Sequence, residues 1–296
     1  LGFSAAMLNP FTVGIAQSIA GIQLYSGVEF RTLVWFVSTL VGCGFVMFYA
    51  MKIKKNPELS PMFEHDQVKR EKLKSTESEH TEFTLRHKII IAALFTSIAL
   101  VVYGVLKLEF WIPQIAAVFL GLGIISGLVG KLAPNEIAEA FTDGAKDMIG
   151  AAIMIGLAKS VMIIAQNANI IDTILFNLAN VVGQLPSLIA SYIMFVIQMF
   201  INFFVSSGSG QAALTMPILA PLGDLVGISR QLSVLIYQLG DGFSNAMFPT
   251  SGVLIACLGM AGVPYGKWLK WILPLQAILF MTAIVFITIA SLIGWA

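Results

Sequence analysis

The chain has 296 residues, 57% of them hydrophobic and 11% charged, with a mean hydropathy of +0.87 and a formal net charge of +1. These values exclude a soluble domain and mark an all-α polytopic membrane protein whose first partner is the lipid bilayer. The near-neutral balance provides no basic patch for nucleic acid.

Residues 1–24 read as a helix broken around Leu8–Gly14, where Asn9-Pro10 interrupts the apolar run. A span follows at about 32–51. Nine of the 17 Lys and Arg, and seven of the 16 Asp and Glu, then fall between residues 52 and 88. With Pro57, Pro61 and the run Lys69-Arg70-Glu71-Lys72-Leu73-Lys74, this segment reads as a solvated connector. Apolar runs at 89–106 and 110–130 are long enough to cross a bilayer, with Trp111 at an interfacial depth. Pro134-Asn135-Glu136 opens an amphipathic helix to about Asp147. A span at 148–166 carries Lys159 at mid-length, and 169–184 forms a second amphipathic piece.

The limb Ser187–Val205 ends at the polar tip Ser206-Ser207-Gly208-Ser209-Gly210-Gln211. The returning limb, interrupted by Pro217 and Pro221, reaches only Leu222, which is shorter than the roughly 17 residues a span needs. This predicts a re-entrant hairpin over 187–222, whose non-helical tip must line a cavity or be buried in protein. A broken span at 231–262 and a last span at 268–294 complete the pattern. Cys43 and Cys257 sit midway along apolar runs and are expected to be buried small hydrophobes, not a disulfide.

One motif occurs twice: Gly2-Phe3-Ser4-Ala5-Ala6-Met7 and Gly242-Phe243-Ser244-Asn245-Ala246-Met247. Each copy is followed by a proline, Pro10 or Pro249, and by an Ala-Gly-aliphatic triplet. A repeat built on interrupted apolar segments is the signature of a secondary transporter. Thirteen Lys and Arg fall on the side of the 52–88 loop, against Arg31, Lys107 and Arg230 on the other. The richer side is expected to be cytoplasmic at a cell (inner) membrane, so the two copies cross in opposite directions. The spacing of the copies also leads us to expect roughly 150 further residues ahead of Leu1.

Two polar groups at membrane depth are the candidate site for a small-molecule substrate and a coupling ion. The first is Ser4, Asn9, Thr12 and Gln17 in the first broken helix. The second joins the tip residues Ser206, Ser207, Gly208, Ser209 and Gln211 to Asp241, Ser244, Asn245, Thr250 and Ser251 in the second. Broken helices expose carbonyls that suit a cation and N–H groups that suit an anion. Asp241 and Lys159 are the charges read as deep in the membrane, where ionisable groups are functional candidates. No cofactor is expected, only sodium or a proton as a coupling ion, with any sodium at the hairpin tip and broken helices. His65, His80 and His87 all lie in the charged loop, which leaves the tip serines no histidine base and argues against an enzyme. A channel with a re-entrant loop is the alternative function.

The tip with Ala212-Ala213-Leu214-Thr215-Met216-Pro217, the segment Gly240-Asp241-Gly242-Phe243-Ser244-Asn245, Phe248-Pro249-Thr250-Ser251-Gly252, Leu8-Asn9-Pro10-Phe11-Thr12 and Val263-Pro264-Tyr265 carry a resemblance. They are similar to the anaerobic C4-dicarboxylate carrier family, in its basic amino-acid antiporter-like branch, within the ion transporter superfamily. The resemblance implies a homodimer with scaffold and transport domains, an elevator motion, and an amino acid such as arginine or ornithine, or a C4-dicarboxylate, moved by antiport or symport. The tip lacks the Asn of the Ser-Asn-Thr tips found in sodium-coupled dicarboxylate relatives, so neither sodium nor dicarboxylate carries over directly. The expected organisation is 1–51 as the end of an N-terminal repeat, 52–88 as a cytoplasmic loop, 89–147 as scaffold-like spans with an amphipathic arm, and 148–296 as a transport unit.

Overall fold

A computed structural model of the chain describes residues 3–67, 84–108, 110, 112–170, 173, 177, 180 and 182–296. The charged run 69–74, His80, Trp111, half of the piece expected at 169–184 and the side chain of Lys159 lie outside the described residues. The described residues are helical, with no strand among them.

A π-helical turn at Pro10–Gly14 runs into a short helix α1, Ile15–Ile19. The N-terminus of that turn is closed by Asn9, whose Oδ1 accepts from the Phe11 N–H at 2.8 Å. Helix α2, Val28–Lys55, extends beyond the apolar run at both ends. Its Glu29 in the first turn and Lys52, Lys54 and Lys55 in the last complement the helix dipole. Then come α3, Leu85–Lys107, α4, Ile112–Val129, and α5, Pro134–Asn167. The break expected near residue 147 does not occur. No proline stands between Pro134 and the end of α5, so the change from polar to apolar composition alters the helix surface and not its backbone.

Helices α6, Ser187–Phe204, and α7, Gly208–Leu225, occupy the segment read as a re-entrant hairpin. The second limb is longer than its sequence indicated: α7 has 18 residues and keeps both Pro217 and Pro221 inside the helix. At 1.5 Å per residue that is about 27 Å, close to a bilayer core, so limb length alone does not make the hairpin re-entrant. Helix α8, Arg230–Ser244, is followed by a non-helical stretch and α9, Gly252–Ala261, which is the broken span. The chain closes on α10, Tyr265–Leu292.

Two compact units emerge, 1–64 together with 150–296, and 65–149. The smaller is built on α3 and α4, with Ile137 packed over Gly127. In the larger, α8 is the centre: every residue from Gln231 to Ser244 is buried, against α6, α7 and α10. Helix α6 turns Ala190, Met194, Phe195, Ile197 and Ile201 inward at i, i+3 and i+4 spacing, along with the polar Gln198 and Asn202. Among the described residues, four helices are long and apolar enough to cross a membrane: α2, α3, α6 and α10. Leu33, Phe36, Leu40, Met47 and Phe48 of α2 face outward, as lipid-facing side chains do. Cys43 and Cys257 belong to that outer face. Both are exposed free thiols, contrary to the burial expected of them, because the buried side of α2 carries Arg31, Val34, Ser38 and Gly42 and that of α9 carries Leu254 and Leu258.

Candidate functional site

Three elements meet at Gly208, the first residue of α7. A Cβ built there would lie 2.6 Å from Thr12 Cγ2, 3.3 Å from Asp241 Oδ2 and 3.3 Å from a Phe3 ring carbon. The first broken helix, the hairpin tip and the second broken helix therefore converge on one point, and only glycine admits so close an approach. The Gly208 carbonyl accepts a hydrogen bond from the Tyr237 hydroxyl at 2.5 Å, which fastens the tip to α8.

Asp241 is 1% exposed. Its Oδ1 accepts from Asn245 Nδ2 at 3.2 Å, and its carbonyl accepts from Asn202 Nδ2 and Asn245 Nδ2, each at 3.0 Å. Asn202 also donates to Ser244 Oγ at 2.7 Å, while that hydroxyl donates to the Gly240 carbonyl at 2.6 Å. Among the described residues, no cation forms an ion pair with Asp241.

The two copies of the repeated motif touch. Ser4 Oγ donates to the Gly242 carbonyl at 2.8 Å, and a Cβ at Gly242 would collide with the Ser4 backbone. Freed carbonyls in the second break are already bonded. Trp268 Nε1 holds the Ala246 carbonyl, Tyr265 Oη holds that of Met247, and Ser206 Oγ holds that of Thr250 at 2.5 Å. These side chains fix the shape of the break.

The remaining candidates divide. Gln211 is fully buried and donates through Nε2 to the Gln198 carbonyl and Oε1, both at 2.9 Å. Ser251 is buried and Ser209 half-buried. Ser207 is exposed and caps α7, accepting from the Gly210 N–H, and Asn9 is a helix cap. Gln17 belongs to a second polar cluster, donating to the Ser26 carbonyl at 3.1 Å and to Gln231 Oε1 at 3.2 Å. Several polar atoms of these elements are buried with no partner: Thr12 Oγ1, Asn202 Oδ1, Gln211 Oε1 and Thr250 Oγ1, and the amide nitrogen Nε2 of Gln198. Their carbonyl and hydroxyl oxygens can serve a hard cation or an ammonium group, and the hydroxyls can also donate. Among the described residues, no cluster of three or more His, Cys, Asp and Glu side chains could hold a transition metal.

Sequence reading missed Asn202, Gln198 and Tyr237, which sit in runs that otherwise read as apolar. Their signal was polarity at i and i+4 within a span, where unpaired polar groups are costly. It also missed Arg31, counted only among the basic residues of the side opposite the 52–88 loop. Arg31 is 1% exposed, with Nη1 2.6 Å from Gln238 Oε1 and Nη2 3.3 Å from Gln231 Oε1. Gln17 Nε2 shares that Gln231 oxygen at 3.2 Å, and Gln238 Nε2 donates to the Ala6 carbonyl at 2.6 Å.

A family model for C4-dicarboxylate anaerobic carriers (DcuC) matches residues 1–292. YfcC of Escherichia coli K12, by its name a candidate basic amino acid antiporter, is 40% identical over 306 residues, covering 100% of this chain and 60% of its own length. An uncharacterized protein of Haemophilus influenzae Rd is 33% identical over 283 residues, covering 95% of this chain and 55% of its own length. The chain thus spans between half and two thirds of the length of these curated relatives. No solved structure matches it.

Proposed function

The chain belongs to the C4-dicarboxylate anaerobic carrier family, and on that footing we propose that it moves a small carboxylate-bearing metabolite through a site centred on Asp241, by exchange or coupled to an ion. Membership makes it a membrane transporter and not an enzyme. The observation that carries the site is the convergence at Gly208 of Thr12, Asp241 and the hairpin tip, each from a different element. A buried carboxylate with no cation paired to it among the described residues favours a partner that brings positive charge. An amino acid with its amine at Asp241 fits this better than a dianion, and the name of the Escherichia coli relative points the same way.

Were sodium the coupling ion, Asp241, Thr12, Asn202 and Thr250 are the residues whose oxygens would hold it. A proton would use the Asp241 carboxylate alone. The protein works as a homodimer in the inner membrane, with the 52–88 loop cytoplasmic and the hairpin and broken helices moving together as an elevator. The distribution of basic residues and the family support this. One-sided labelling of a cysteine placed in the loop, and cross-linking between protomers, check it.

Counterflow into proteoliposomes of the full-length protein is the primary test, with arginine, ornithine or succinate preloaded, with and without sodium. Saturable uptake accelerated by one preload is expected. Flux that never saturates and ignores every preload would refute the carrier and indicate a channel.

A further inference from the structure

Arg31 is buried without an anion. Among the described residues no carboxylate forms an ion pair with it. Of the five N–H groups on its guanidinium, one is given to Gln238 and one to Gln231, and Nε has no partner. Neutral amide oxygens orient the group but do not cancel its charge, and a buried unpaired charge is costly to keep. Packing alone would be served as well by a neutral side chain.

The surroundings show how a ligand could come. The guanidinium carbon lies 5.3 Å from the ring centroid of Trp295, and Phe30 packs on the same indole at 4.9 Å. Trp295 also walls a cavity of about 390 Å³, lined further by Asp224, Ser229, Leu232 and Ser291. That volume holds a molecule of amino-acid size. One indole thus touches both the Arg31 guanidinium and the cavity. On the far side, Gln238 precedes Asp241 by one turn of α8, about 4.5 Å along the axis.

We infer that Arg31 binds the carboxylate of the transported substrate, admitted past Trp295 from this cavity, while Asp241 takes its amine. The assignment rests on the transport reading above and narrows it to amino acids. A guanidinium edge offers two parallel N–H donors to one carboxylate, which fixes orientation as well as charge. A cation and an anion addressed to the same helix suit an amphoteric solute, and a dicarboxylate would set one of its charges against Asp241.

The test uses the full-length carrier in proteoliposomes, with arginine, ornithine, their methyl esters and succinate as competitors for counterflow. In the wild type each acid should compete better than its ester by on the order of tenfold to a hundredfold, the worth of a hydrogen-bonded charge. In Arg31→Gln that preference should vanish through loss of affinity for the acid, with the ester unchanged. Arg31→Lys keeps the charge and loses the paired edge, so it should retain part of the preference, and it serves where the glutamine variant does not assemble. A full acid-to-ester ratio in either variant overturns the assignment. So does a wild type that exchanges succinate but neither amino acid, which would leave the carrier reading standing. Absence of exchange with every solute would remove both.

Discussion

Adding a single methyl group at the hairpin tip tests the geometry on which the site rests. In Gly208→Ala the new Cβ would stand 2.6 Å from Thr12 Cγ2, well inside van der Waals contact, with two further approaches of 3.3 Å to Asp241 Oδ2 and Phe3. Thr12 sits in a buried π-helical turn and cannot swing out, so the strain falls on the tip. Overpacking of this kind costs about 1–3 kcal/mol. If the docked tip is the state that closes over substrate, its population falls by roughly 5- to 150-fold. Thr12→Ser removes the clashing methyl and keeps the hydroxyl. The double variant should therefore recover a large part of the loss, with a coupling energy of about 1 kcal/mol or more. The assay is saturable counterflow by all four proteins at matched membrane expression, alongside thermal unfolding in detergent. Strictly additive effects, or a Gly208→Ala protein with wild-type uptake, would refute the contact and with it the convergence of the three elements.

Other outcomes follow from the same contacts. Asp241→Asn should abolish coupled uptake while leaving the melting temperature near that of the wild type; undiminished uptake would remove Asp241 from the site. Gly242→Ala drives a Cβ into the Ser4 backbone, which has no rotamer to yield, so the loss should reach about 3 kcal/mol, the upper end of overpacking, and show as low recovery of folded protein; normal yield and melting would contradict the crossing of the two motif copies. Gln238→Leu leaves the Ala6 carbonyl and one Arg31 N–H unpaired, at about 1–3 kcal/mol for each buried group. It should lower thermal stability more than Ser206→Ala, which strands only the Thr250 carbonyl; the reverse order would show the Arg31 cluster to be slack.

Much of this was legible in the order of residues. Asn9-Pro10 and Phe248-Pro249 mark the two breaks, because proline and an Asn cap act locally whatever the fold around them. Gly208, Thr12 and Asp241 could be named as candidates, although nothing in their spacing said that they touch. Proline misled at Pro217 and Pro221. A helix packed among other helices can lose a donor and stay helical, so composition underestimated α7. The length argument for a re-entrant limb weakens accordingly. Asn202 was hidden because a span read by average hydropathy has no direction. Only the packing of α6 on α8 shows that its single amide points at the Asp241 carbonyl.

Arg31 went unread for a related reason. At the first turn of a long apolar helix, a basic residue looks like one that reaches back to the interface. The turn at 20–27 and Trp295 close over it instead, and Gly27 at φ 68° lets the indole pack where any side chain would block it. The result is a helix, α8, that holds an anion on its own side chain and a cation through its glutamines, both in the interior. Gln231, Gln238, Asp241 and Asn245 recur at spacings that share one helical face. Hydrophobic burial cannot account for that stripe, since every member loses water and gains at best an exchange of hydrogen bonds. Two opposite charges kept apart on it, each with donors or acceptors to spare, make better sense as the two ends of a site than as mutual neutralisation, which direct contact would have achieved more cheaply.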